Sequence, residues 1–103
     1  MQFVPFTSTV SHSIPANIKF QLWGENATSG AIVPTLPDAT KCSGTCVAVV
    51  KADSSANAVT VTPYGTQKIL NASGLVSTFA LSAQGKSVTL VSDGTQWIQI
   101  AAT

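Results

Sequence analysis

The sequence has no arginine, a single histidine, two cysteines and few charges of either sign, and each shortage closes off a class of function. Five lysines against four carboxylates leave a formal charge of +1. That balance supplies no basic patch of the kind that phosphate backbones or anionic headgroups require, so neither nucleic acid nor a membrane is an expected partner. No apolar window approaches the ~20 residues that a membrane-spanning helix needs. The opening Met1-Gln2-Phe3-Val4-Pro5-Phe6 has neither a basic start nor a long apolar stretch, and the expectation is a chain made and used without export through a signal peptide. Zinc needs three or four ligands, whereas His12 stands alone and far from Cys42 and Cys46, so no metal or other cofactor is expected.

Charged residues make up 9% of the 103 and aromatics 7%, while 45% are apolar, mainly small and β-branched. The length is that of one domain, and the composition is not that of a disordered chain. With so few charges, the surface carries hydroxyls, amides and exposed apolar groups, and oligomerisation or docking on a larger body would cover it. A neutral β-domain with a Thr/Ser-coated exterior is the competing reading. Cys42 and Cys46 flank Ser43-Gly44-Thr45. A tight hairpin there would allow a disulfide, whereas folding in a reducing cytosol would leave two thiols, and both readings stand at this point.

Period-two alternation and turn residues dominate the second half. Cys46 to Lys51, Val59-Thr60-Val61-Thr62, Leu75 to Leu81, Ser87 to Val91 and Trp97 to Ile100 read as strands. Residues 53–57, 63–66, 71–74, 83–86 and 92–95 read as the turns between them, with Asp93-Gly94 the strongest hairpin signal. In the first third, Ile18, Phe20 and Leu22 alternate with Lys19, Gln21 and Trp23, and Ala31-Ile32-Val33 precedes Pro34. The pattern predicts an all-β fold: one antiparallel β-sandwich over residues 1–103, jelly-roll-like or immunoglobulin-like, with seven or eight short strands.

No catalytic constellation emerges. The acids are Glu25, Asp38, Asp53 and Asp93, each beside Gly, Pro, Ser or Asn, where local hydrogen bonds to the backbone are their expected task. His12, between two serines, reads as an exposed or interface imidazole. The chain carries no phosphate-binding loop, nucleophile elbow or dinucleotide fingerprint, and is not expected to be an enzyme. Trp23, Tyr64 and Trp97 would serve a sugar-stacking platform only if gathered, and are expected instead in core or interface packing. Residues 1–6 are a candidate N-terminal arm, with Gln2, Phe3, Val4, Pro5 and Phe6 filling pockets on a partner; the competing reading has Phe3 and Phe6 closing the domain's own core.

Three segments carry a family resemblance: residues 31–39, with Ala31-Ile32-Val33-Pro34 and Leu36-Pro37-Asp38; residues 49–63, ending in Val59-Thr60-Val61-Thr62-Pro63; and residues 81–97, with Ser92-Asp93-Gly94-Thr95-Gln96-Trp97. In this order they resemble the β-domains of tailed-bacteriophage virion proteins, found in capsid decoration or cement proteins, head fibres and tail fibres, and the likeness spans roughly residues 31–101. It implies a non-enzymatic structural role. With about thirty residues ahead of the matching part and no shaft repeat among them, the expectation is a free-standing decoration subunit. Such a subunit would be made in the host cytoplasm, carried on the outer capsid surface, bound to the major capsid protein and self-associated as a homotrimer or homodimer. The alternative is a tail-fibre or head-fibre tip that recognises a host surface receptor through Tyr64 or Trp97. The Cys42/Cys46 pair departs from the family, whose domains usually have small polar turn residues there.

Overall fold

The computed structural model describes residues 3–103. Eleven strands lie among them: β1 (Val4–Ser8), β2 (His12–Ser13), β3 (Phe20–Glu25), β4 (Pro34–Thr35), β5 (Cys46–Lys51), β6 (Val59–Val61), β7 (Ile69–Asn71), β8 (Gly74–Val76), β9 (Phe79–Leu81), β10 (Ser87–Ser92) and β11 (Trp97–Ala102). The sole helical piece described is a 3-10 turn over Ala39–Lys41, which Asp38 starts by accepting a hydrogen bond from the Thr40 amide. The all-β reading is therefore correct, and the long strands fall where alternation and β-branched residues put them.

Seven strands form one sheet in the order β1-β3-β5-β10-β11-β7-β8. Three of its pairs are parallel, namely β1 with β3, β3 with β5 and β7 with β11, which corrects the expectation of a wholly antiparallel fold. A parallel pair needs a crossover between its strands. Here the crossover from β3 to β5 contains β4 and the 3-10 turn, and the one from β7 to β11 contains β8, β9 and β10. Alternation within a strand carries no information about the direction of its neighbour, so the pairing could not be read locally.

The remaining strands pair β2 with β4 in parallel and β6 with β9 antiparallel. These two ladders are stitched together, because residues 32–36 run parallel to residues 58–62 through Ile32 N–H to Ala58 O at 3.1 Å and Leu36 N–H to Thr62 O at 2.8 Å. Ile32, Leu36, Val59, Val61 and Leu81 from this side share a single core with Val47, Val49, Val88, Leu90 and Trp97 from the seven-stranded sheet. Each aliphatic side chain so enclosed contributes about 1.5–3 kcal/mol relative to exposure. Trp97 also ties the two sides by a directed bond, its indole N–H donating to the Pro37 carbonyl at 3.1 Å.

Turns follow the glycines and short polar residues. Gly94, at φ +96°, takes a conformation that side chains disfavour and closes the β10–β11 hairpin, while Asp93 accepts from the Thr95 and Gln96 amides. Asn71 to Gly74 closes β7 onto β8. The run Leu75 to Leu81 is not one strand: it breaks at Ser77-Thr78, sending β8 to the edge of the large sheet and β9 to β6.

Candidate functional site

The register of the large sheet decides which side chains face the core and which face away. In β5, Val47, Val49 and Lys51 point inward, leaving Cys46, Ala48 and Val50 outside. Parallel pairing with β3 then puts Gln21, Trp23 and Glu25 inside and Phe20, Leu22 and Gly24 outside. On the other flank β10 turns Ser87, Thr89 and Val91 outward, β11 follows with Ile98, and Leu70 of β7 and Leu75 of β8 continue the row. A one-residue shift between Thr89 and Leu90 leaves Ile100 without a cross-strand partner and 59% exposed. Leu75 is 58% and Leu22 37% exposed.

No outward-facing position of these seven strands is charged. The nine charged residues lie elsewhere: Lys19, Lys68, Lys86 and Asp93 sit just beyond strand ends, Asp38 and Lys41 at the 3-10 turn, and Glu25, Lys51 and Asp53 are buried. Burying three of the nine deepens the shortage of surface charge noted in the sequence. The result is an open sheet face whose strands bear apolar and hydroxyl side chains only.

The buried charges form two neighbouring clusters at one end of the sheet. Glu25, fully buried, accepts from His12 Nε2 at 2.8 Å, and the imidazole stacks on Trp23, centroids 4.2 Å apart, with Phe6 stacked on Trp23 at 4.6 Å. Burial pushes the Glu25 carboxyl above its usual range, partly opposed by His12. The second ring nitrogen of His12, Nδ1, is buried without a partner. Next to it in register, Lys51 Nζ donates to Asp53 at 2.8 Å, and Asp53 also accepts from the Ala27 and Ser55 amides and from the Ser55 hydroxyl. The Lys51 ammonium, the Ser55 hydroxyl and those amides hold Asp53 far below the usual carboxylate range. Asp53 thus pins residues 27 and 51–55 together, which is structural work. Among the described residues no cluster of three His, Cys, Asp or Glu is placed to bind a metal, and no cavity of ligand size opens beside these charges.

The residues singled out in the sequence fall as follows. Gln2 lies outside the described residues. Of the other candidate arm residues, Val4, Pro5 and Phe6 lie in the edge strand β1 and not in a detached arm: Phe6 turns inward onto Trp23, while Pro5 and, just ahead of the strand, Phe3 share the outer side with Phe20, Phe3 meeting Phe20 edge-on at 6.1 Å. Cys42 and Cys46 form no disulfide. Both are free and buried, Cys42 within the core with its thiol donating to the Asp38 carbonyl, Cys46 on the outer side of β5, so the sheet itself separates them, and burial raises both thiol pKa values. Trp97 is fully buried, which removes it from any stacking platform, while Tyr64 stands 52% exposed in a turn. Asp38, Asp53 and Asp93 do bond backbone amides within two or three residues, whereas Glu25, expected to do the same, is buried against His12, whose imidazole is itself largely buried and not exposed.

Two features went unread. The His12–Glu25 pair spans thirteen residues and two strands. The open face was hidden because Phe20 and Leu22 look like core residues until the register turns them outward; the one local signal is polar Gln21 and Glu25 sharing a strand side with Trp23. Gln21 is satisfied inside, donating to the Pro15 and Ile18 carbonyls and accepting from the Trp23 indole. No family model matches the chain, and no curated protein matches it.

Proposed function

We propose that this chain is a non-enzymatic assembly module, a decoration or cement subunit that docks on the outer surface of a tailed-phage head and stabilises the shell. The observation that carries the assembly reading is the open face of the seven-stranded sheet, on which no strand position is charged. A free sheet face without charges is a surface awaiting a cover. The phage assignment comes from the resemblance over residues 31–101. Binding to an assembled lattice and not to its free subunits would stabilise the lattice by mass action. We take the fold to be a two-layered sandwich, the stitched short ladders facing the large sheet across their shared core. Its parallel pairs set it apart from an all-antiparallel jelly roll.

Immunogold labelling of purified particles of the phage that encodes the chain tests this reading. Label over the head is the expected result. Exposed Tyr64 favours one second reading, a fibre tip that recognises a host receptor, for which the label would concentrate on fibres. Particles without label overturn both.

A further inference from the structure

We propose that the outer face of the seven-stranded sheet is covered by a second copy of this chain, in a two-fold, face-to-face dimer. The inference deepens the assembly reading and rests on it: the open face goes to a second copy of the chain, and a head would carry the resulting dimer by its other surfaces.

Dimensions support it first. At about 4.8 Å between strands and about 3.3 Å per residue, the sheet presents a face of roughly 30 Å by 17 Å, on the order of 500 Å2 in outline. Its width agrees with the longer extents of the molecule, 34 and 29 Å. Covering it on two copies removes on the order of 1,000 Å2 in all, the threshold that a specific interface has to reach. Smaller contacts along either sheet edge do not: β8 is three residues long, and β1 carries Pro5, which has no N–H to give.

Chemistry selects the occupant. A face without charges offers no electrostatic address, so its partner must bring a surface as broad and equally uncharged. A second copy brings that surface by construction, and a two-fold axis needs no further complementarity, because each contact occurs twice. The relief of the face fits an axis along the strands. Leu22 stands on one flank and Ile98, Ile100 and Leu70 on the other, with the smaller Ala48 and Thr89 between them. Rotation about that axis lays the Leu22 flank of each copy on the Ile98–Ile100 flank of its partner, as in aligned sheet-on-sheet packing.

The test is sedimentation equilibrium of the full chain from about 1 to 100 µM, beside Leu22→Lys, Ile100→Lys and, off the face, Tyr64→Lys. Because Leu22 and Ile100 are solvent-exposed, both variants should fold, which circular dichroism and a thermal melt verify. The expected result is a wild-type mass twice the 10.6 kDa of one chain, retained in Tyr64→Lys. In either face variant the dimer dissociation constant should rise at least about 100-fold, since the two-fold axis buries the new charge twice. A wild type that is monomeric at 100 µM overturns the proposal, as does a dimer that both face variants leave intact. If the wild type is monomeric and labels phage heads, while the lysine variants do not, the face serves the shell; the dimer fails and the assembly reading survives.

Discussion

At the scale of single residues, this small molecule buries three of its nine charges. Glu25 and Asp53 are both carboxylates in buried clusters, yet their environments pull in opposite directions. Asp53 gains an ammonium, a hydroxyl and two amides, and stays ionised far into acid; its contribution is present at ordinary pH and is lost only as pH falls through its depressed native value. Glu25 loses water on burial, which outweighs the opposing imidazole of His12, so its native pKa lies above the ordinary value near 4.5. Its contribution to stability is complete below that ordinary value and is lost as pH rises through the raised one. Glu25→Gln cannot ionise and is expected to flatten this fall. Urea midpoints at about pH 4 and pH 7 should drop further with rising pH in the wild type than in the variant, and an equal drop in both would contradict the assignment. The role of Asp53 as a turn-former was legible, because such bonds are local. The Glu25–His12 pair was not, because only the pairing of β3 with its neighbours brings residue 25 beside residue 12.

At the scale of elements, alternation located strands well and described their surroundings poorly. The bounds of β5 were legible to the residue, and those of β10 and β11 to within two, since Val, Ile and Thr at period two specify a pleated strand whatever it pairs with. Phe3 and Phe6 flanking Pro5 are compatible in sequence with either an arm over residues 1–6 or closure of the domain's own core. The structure accommodates Pro5 at the sheet edge, with the ring on the outer side and Phe6 turned in against Trp23. If β1 is an integral strand, Phe6→Ala should cost about 2 kcal/mol in chemical denaturation, because a half-buried ring and its aromatic stack are both lost. A free arm would give no change. The break of residues 75–81 into β8 and β9 had only Ser77-Thr78 to announce it, and Thr is itself a good strand residue.

For the whole molecule, the sheet runs in chain order through β1, β3 and β5 and then passes to β10 and β11 before β7 and β8. A Cα radius of gyration of 12.4 Å is that of a tightly folded chain of this length. Reaching it requires β3 to meet β5 and β7 to meet β11 in parallel, each after closing a long loop before any contact rewards the closure. Refolding from urea is therefore expected on the millisecond-to-second timescale, by stopped-flow fluorescence of Trp97 and Trp23, which both pack against the core; a microsecond phase carrying the full amplitude would contradict this topology. The sequence by itself determined that the chain is all-β, where its longer strands β5, β10 and β11 lie and where the glycine and Asp/Asn turns fall. Those properties depend on side-chain period and on the conformational limits of glycine, asparagine and aspartate, which act over a few residues. Only the tertiary structure decided which side of each strand meets the core, which neighbours run parallel, that Cys42 and Cys46 stand apart, and that Phe20, Leu22 and Ile98 look outward. Those outcomes depend on register between distant segments, where a shift of one residue exchanges the two faces of a strand, and on filling one shared core from both of its sides.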